Sequence, residues 1–188
     1  AALHQSIPEY ISSRVGCISI KESVDGTTFT DNGKSSYIQR MKNKVSKDAQ
    51  IALLICQLST NDASKELPLG EVSEGTALEG FDTGTVTGAI EYIICYAKQI
   101  LGCPVLFYTN ASFEIENYAV MVERLYELKE KWNIGILDLW SSDEFNNITE
   151  EQRELYMKDS IHPYKAGYRD WWGPELERQL FGFFGMEG

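Results

Sequence analysis

The sequence predicts an α/β protein built on a parallel sheet. Short, nearly continuous apolar runs alternate with longer segments whose apolar residues recur every three or four positions, a pattern typical of buried strands covered by helices on both faces. The 188 residues are 43% hydrophobic and 24% charged, which fits one soluble domain spanning residues 1–188. The chain opens on a helical segment, whereas sheets of this kind normally open on a central strand, so we expect a further strand upstream of Ala1.

Four segments are predicted to be strands. Three of them are strongly apolar: residues 51–56, 104–108 and 134–138. Residues 17–20, Cys-Ile-Ser-Ile, give a weaker signal.

The helical segments carry an apolar stripe at three- and four-residue steps. The predicted helices are residues 7–15, 35–44, 86–101 and 115–126, and a last helix that begins at Pro163. Gly102 and Pro104 end the third of them. Residues 63–85 form the longest irregular stretch, which is either a functional loop or a solvated surface insertion.

The formal net charge of −11 excludes most nucleic-acid and anionic-membrane partners, because those surfaces require basic patches. No apolar run is long enough to span a bilayer. We therefore expect a small-molecule partner, with neutral or cationic substrates favoured. The first residues resemble no signal peptide and the four cysteines show no metal-ligand spacing, so we expect a cytoplasmic protein with buried free thiols.

Only two histidines could serve a histidine-dependent mechanism. His4 lies near the terminus and is expected to be solvated. His162 lies three residues after Asp159, in a loop before the last helix, where a carboxylate can hydrogen-bond the imidazole and fix its tautomer. Taken alone, this spacing also fits a helix-capping loop.

Two further candidates follow predicted strands, where α/β proteins bind ligands. Asn61 comes shortly after the 51–56 run and could aim its amide at a developing oxyanion; an Asx-turn is the structural alternative. Gly26 comes after residues 17–20 and could offer its backbone N–H to a ligand; an ordinary strand-to-helix turn is the alternative.

The order Gly, then Asn-Asp, then Asp-x-x-His resembles the SGNH hydrolases, also called GDSL-like lipases and esterases. Gly26, Asn61 and the pair Asp159–His162 match the second, third and fourth motifs of that family, and the resemblance covers nearly the whole chain. It implies a three-layer α/β/α sandwich with a five-stranded, flavodoxin-like parallel sheet. It also implies hydrolysis of short-chain carboxylic esters, such as acetyl esters of carbohydrates, through an acyl-enzyme and without a metal or organic cofactor. His162 would be the base, Asp159 its orienting carboxylate, and Gly26 and Asn61 the oxyanion hole.

The chain departs from the family pattern at two places. Ser59 stands where the third motif usually has glycine. The nucleophilic serine of the first motif has no match, and the family order places it upstream of Ala1. Ser6, Ser23 and Ser59 could replace it only from the wrong motif.

Two rival functions use the same scaffold. The lack of a first-motif serine fits a non-catalytic ligand- or carbohydrate-binding domain, although such a domain has no need of the Asp-x-x-His pair. A flavodoxin-like nucleotide-binding protein would need a glycine-rich phosphate loop, and none follows a predicted strand.

Overall fold

A computed structural model, which describes residues 6–185, has an α/β architecture with a three-stranded parallel sheet flanked by helices. The strands pair in the order β1 (Leu54–Gln57), β2 (Val105–Tyr108) and β3 (Gly135–Leu137). The three strongly apolar runs therefore form strands, as predicted, although each strand is shorter than its run or displaced along it.

The predicted strand at residues 17–20 is wrong. This segment pairs with no strand among residues 6–185, and the side chain of Ile18 is 94% exposed. An apolar, β-branched run favours extended backbone, but a strand also needs a neighbour to accept and donate its ladder hydrogen bonds.

The described residues fall into two compact units. The first, called here the sheet unit, comprises residues 22–107 and 115–136. The second, called here the His162 unit, comprises residues 6–21, 108–114 and 137–185.

The sheet unit contains four α-helices: α1 (Tyr37–Lys44), α2 (Thr60–Ser64), α3 (Val86–Tyr96) and α4 (Glu116–Trp132). Helix α3 continues as a π-helical turn, Ala97–Leu101, and ends at Gly102 in the left-handed conformation, as the sequence predicted. Helix α4 runs six residues beyond the predicted end at residue 126. The core consists of apolar side chains from strands and helices, among them Phe29, Ile38, Ile90, Ile94, Leu106, Phe107, Leu125 and Leu128.

The long segment 63–85 is held against α3 and α4 by buried polar contacts. The Glu91 carboxylate, which is fully buried, accepts hydrogen bonds from Ser73 N (3.0 Å), Lys131 Nζ (2.6 Å) and Trp132 Nε1 (3.0 Å). Arg124 Nη1 donates to the carbonyl oxygen of Gly70. Because a buried charge is tolerated only when it is paired and hydrogen-bonded, this arrangement fixes the middle of the segment in place.

The His162 unit contains α5 (Ile7–Val15), α6 (Asp143–Asn146), α7 (Glu150–Tyr156) and α8 (Gly173–Phe184), with a π-helical turn, Gly167–Trp172, before α8. The prediction that the last helix begins at Pro163 is wrong, because Pro163 forms an isolated antiparallel bridge with Met157. The core of this unit includes Ile7, Ile11, Leu139, Trp171, Trp172, Leu176 and Leu180.

The four cysteines are free thiols, but they are not all buried as predicted. Cys95 and Cys103 are buried, Cys56 is half-buried and Cys17 is exposed. Within residues 6–185, no helix combines the length and apolar character needed to cross a bilayer.

Candidate functional site

The Asp159 carboxylate and the His162 imidazole form a close pair in the His162 unit. The distances from His162 Nδ1 to the two carboxylate oxygens are 2.9 Å and 3.0 Å. With Nδ1 engaged, the ring nitrogen left to exchange a proton with a ligand is Nε2, which has no hydrogen-bond partner among residues 6–185. The His162 side chain is 67% exposed, so a ligand can reach it.

The loop that carries this pair is closed by backbone hydrogen bonds at its base. Tyr164 N donates to Tyr156 O (2.7 Å), and Lys158 N donates to His162 O (2.8 Å). These bonds, with the bridge between residues 157 and 163, turn the chain back on itself, so that residues 158–162 project as a tight loop.

Asp159 also organises the tip of the loop. Its Oδ1 accepts hydrogen bonds from the backbone N–H of Ile161 (2.9 Å) and of His162 (2.8 Å). Desolvation would raise the pKa of Asp159, but these two N–H groups and the imidazole outweigh it and lower the pKa below its ordinary value. The carboxylate is therefore ionised at neutral pH, the state that can stabilise an imidazolium.

In the sheet unit, Asn61 is hydrogen-bonded to Thr27, the residue that follows Gly26 in the chain. Asn61, on α2, donates from Nδ2 to the carbonyl oxygen of Thr27 (3.1 Å), and Lys65 Nζ donates to the carbonyl oxygen of Gly26 (3.0 Å). A primary amide nitrogen carries two N–H groups, so Asn61 retains one for a ligand.

Gly26 has a φ of +75°, the left-handed region that side chains disfavour. It is exposed, and its N–H has no acceptor among residues 6–185. The turn can therefore present this N–H to a ligand. Gly26 and Asn61 therefore each keep one N–H donor that a ligand could use.

Asp62, which sequence reasoning passed over, braces this arrangement. Its carboxylate is fully buried and accepts hydrogen bonds from Phe29 N (2.8 Å) and Thr30 N (3.2 Å). It thereby ties the segment after Gly26 to the helix that carries Asn61. The signal in the sequence was its place beside Asn61.

Comparisons with family models and with curated proteins find no match, whereas solved structures match over nearly the whole chain. A candidate GDSL-like lipase from Bacteroides ovatus is 19% identical with a TM-score of 0.65, covering 98% of this chain and 80% of its own. A candidate GDSL-like lipase from Bacteroides uniformis is 16% identical with a TM-score of 0.68, covering 98% and 78%. A candidate lipolytic protein of the G-D-S-L family from Desulfitobacterium hafniense is 18% identical with a TM-score of 0.66, covering 94% and 89%.

The chain has the GDSL-like lipase fold. This confirms the fold that the motif order suggested.

Two of the three serines considered as substitute nucleophiles make hydrogen bonds that stabilise local structure. Ser59 is buried, and its hydroxyl caps α2 by accepting from Asp62 N (3.2 Å). Ser6 precedes α5, and its hydroxyl accepts from Lys21 Nζ (2.7 Å) and donates to Glu9. Ser23 is exposed. Ser6 and Ser59 thus have structural roles that account for them.

Within residues 6–185, no group of three or more His, Cys, Asp or Glu side chains is arranged to hold a metal ion. The candidate His4 lies outside the described residues. Among the other predicted site residues, the structure pairs Asp159 with His162 and leaves one N–H donor on each of Gly26 and Asn61.

Proposed function

We propose that this chain is the greater part of a serine esterase that cleaves short-chain carboxylic esters through an acyl-enzyme. The observation that carries the proposal is the Asp159–His162 pair, in which the carboxylate holds Nδ1 and leaves Nε2 for proton transfer. In this proposal the nucleophilic serine precedes Ala1, by analogy with the order of the motifs in the family.

In the first half of the proposed reaction, the serine hydroxyl attacks the carbonyl carbon of the ester while His162 Nε2 takes the hydroxyl proton. Asp159 stabilises the resulting imidazolium and keeps the ring in the tautomer with Nδ1–H. A carboxylate whose pKa is lowered suits this role, because it stays ionised instead of taking the proton itself.

The tetrahedral intermediate carries a negative charge on the former carbonyl oxygen. Gly26 N–H and the second N–H of Asn61 would donate hydrogen bonds to it. Such donors lower the barrier because they are already oriented when the charge develops. Collapse of the intermediate breaks the bond to the alcohol, which leaves with the proton from His162, and forms the acyl-enzyme. A water molecule, deprotonated by His162, then releases the acid.

Small acyl groups, such as acetate on a carbohydrate, are the proposed substrates. The net charge of −11 favours neutral or cationic esters, because an anionic substrate would be repelled at long range.

The test is hydrolysis of p-nitrophenyl acetate by the protein with the residues upstream of Ala1, compared with the 188-residue chain. We expect activity only in the former. His162→Ala should remove nearly all turnover, and Asn61→Ala should lower it roughly 10²- to 10³-fold, the usual loss for one oxyanion donor. His4→Ala, the same change at the other histidine, is the matched control and should leave turnover unchanged.

Equal activity in the two proteins would place the nucleophile within the 188 residues and return Ser6, Ser23 and Ser59 to consideration. No hydrolysis of any short ester by the extended protein would refute the proposal and favour the binding-domain alternative.

A further inference from the structure

A buried asparagine outside the four motifs, Asn110, holds the loop that carries His162. Asn110 follows β2 by two residues and its side chain is fully buried. Its Nδ2 donates a hydrogen bond to the carbonyl oxygen of Ile161 (3.1 Å), across 51 residues of sequence.

The peptide group between Ile161 and His162 is thereby held at both ends. Asn110 binds its carbonyl oxygen, and Asp159 Oδ1 accepts from its N–H at 2.8 Å. Because this peptide group leads directly into the Cα atom of His162, the two bonds together restrict where the imidazole can lie.

The bond from Asn110 differs in kind from the others that the loop makes. Among residues 6–185, every other hydrogen bond of residues 158–162 stays within the segment 156–164. Such local bonds shape the loop but cannot fix its position against the body of the His162 unit. Lys158, Asp159 and Ser160 are exposed, so packing adds little support.

Asn110 itself stands on a rigid support. The hydroxyl of the preceding residue, Thr109, is buried; it donates to Asp138 Oδ1 (2.8 Å) and accepts from the backbone N–H of Leu139 (2.8 Å) and Trp140 (2.9 Å). The N–H of Thr109 donates to the carbonyl oxygen of Leu137 (3.1 Å). The end of β2 is thus fixed to the end of β3, and Asn110 extends from that junction to the loop.

We infer that Asn110 is a positioning residue for His162, which sets the place of Nε2 for proton transfer. The inference rests on the proposed function, since the position of Nε2 matters only if His162 acts as a base. Misplacement of a catalytic group by about 1 Å can cost roughly 100-fold in rate. Asn110→Ala should therefore lower kcat by roughly 10- to 100-fold while KM changes by less than about 3-fold, because the substrate does not touch Asn110.

Two measurements test the inference. The first is the kcat and KM of Asn110→Ala in the protein with its upstream residues, well below the melting temperature. Leu176→Ala, which opens a cavity beside α8 and removes none of the hydrogen bonds of the loop, is the control for destabilisation. If kcat falls equally in both variants, the effect is general destabilisation and the inference is overturned.

The second measurement needs no catalysis. Hydrogen exchange of the His162 backbone amide, followed by NMR in the 188-residue chain, should be at least about 10-fold faster in Asn110→Ala than in the unaltered chain, and unchanged in Leu176→Ala at a temperature where both remain folded. Unchanged exchange at His162 would overturn the inference whatever the activity.

If the unaltered protein hydrolyses no ester, the proposed function fails, and Asn110 then has no catalytic group to position. Faster exchange would in that case show only that Asn110 orders the loop. The two failures are therefore distinguishable: the proposed function fails when no ester is hydrolysed, and the role of Asn110 fails when exchange at His162 is unchanged.

Discussion

Asp62 makes the sharpest test of how the sheet unit is held together. Its buried carboxylate accepts the backbone N–H groups of Phe29 and Thr30, and both of those residues are themselves buried. Asp62→Ala leaves two amide donors without a partner. An unsatisfied buried donor costs about 1–3 kcal/mol, and relief from burying a charge offsets part of the sum, so we expect a loss of about 3–4 kcal/mol in the free energy of unfolding.

Asp62→Asn keeps the shape of the side chain but has one acceptor oxygen instead of two. It should lose about half as much, because one N–H keeps its partner while the other faces an amide N–H₂. The assay is urea denaturation of the 188-residue chain followed by tryptophan fluorescence. Ser59→Ala, which removes the cap of α2 and a hydrogen bond with the Tyr37 side chain, should cost about 1–2 kcal/mol, and Asp48→Ala, at an exposed position, less than about 0.5 kcal/mol.

If Asp62→Ala lowers the free energy of unfolding no more than Ser59→Ala does, the two N–H groups do not depend on the Asp62 carboxylate. If Asp62→Asn lowers it as much as Asp62→Ala does, the loss comes from the charge and not from the number of acceptors. Either result would contradict the prediction.

Two further predictions concern stability. A Cβ at Gly88 would lie 2.2 Å from the carbonyl oxygen of Asp82, so Gly88→Ala should cost about 1–3 kcal/mol, whereas Gly182→Ala, with nothing within 4 Å, should stabilise α8 by about 0.5–1 kcal/mol. Equal melting temperatures for the two variants would contradict this. Desolvation opposes the shift at Glu9, but hydrogen bonds from Ser6 and Lys21 lower its pKa from 4.5 to about 2. A lowered pKa stabilises the fold above about 4.5, and that stabilisation is lost as the pH falls towards about 2. Glu9→Gln should therefore melt below the unaltered chain at pH 7 and together with it near pH 2; a difference that persists at pH 2 would count against the assignment.

The errors of the sequence interpretation have a common physical cause. Residues 17–20 have the composition of a strand, but pairing depends on a neighbour that composition does not reveal. Pro163 suits the first position of a helix, yet it forms a bridge with Met157, because the loop closes by backbone hydrogen bonds at its base. In both cases backbone pairing, which composition does not reveal, decided the structure: residues 17–20 have no paired strand among residues 6–185, whereas Pro163 has a partner in Met157.

Asn110 shows a different limit. It lies two residues after an apolar run, much as Asn61 lies five residues after another, so its position was visible in the sequence. Nothing in its immediate neighbours indicated a partner 51 residues away, and only the matched motifs singled out Asn61.

The α/β class could be predicted from the sequence, because apolar runs alternate with segments of helical periodicity. The Asp159–His162 pair could also be predicted, because residues three apart in a tight loop lie close to each other. The contacts that hold Asn61 and His162 in place became visible only in the folded structure: the Asp62 carboxylate accepts a hydrogen bond from Phe29 N, 33 residues away, and Asn110 donates one to the carbonyl oxygen of Ile161. Such contacts join segments that are distant in the chain. They form only when the strands and helices have packed, so no local pattern of residues specifies them.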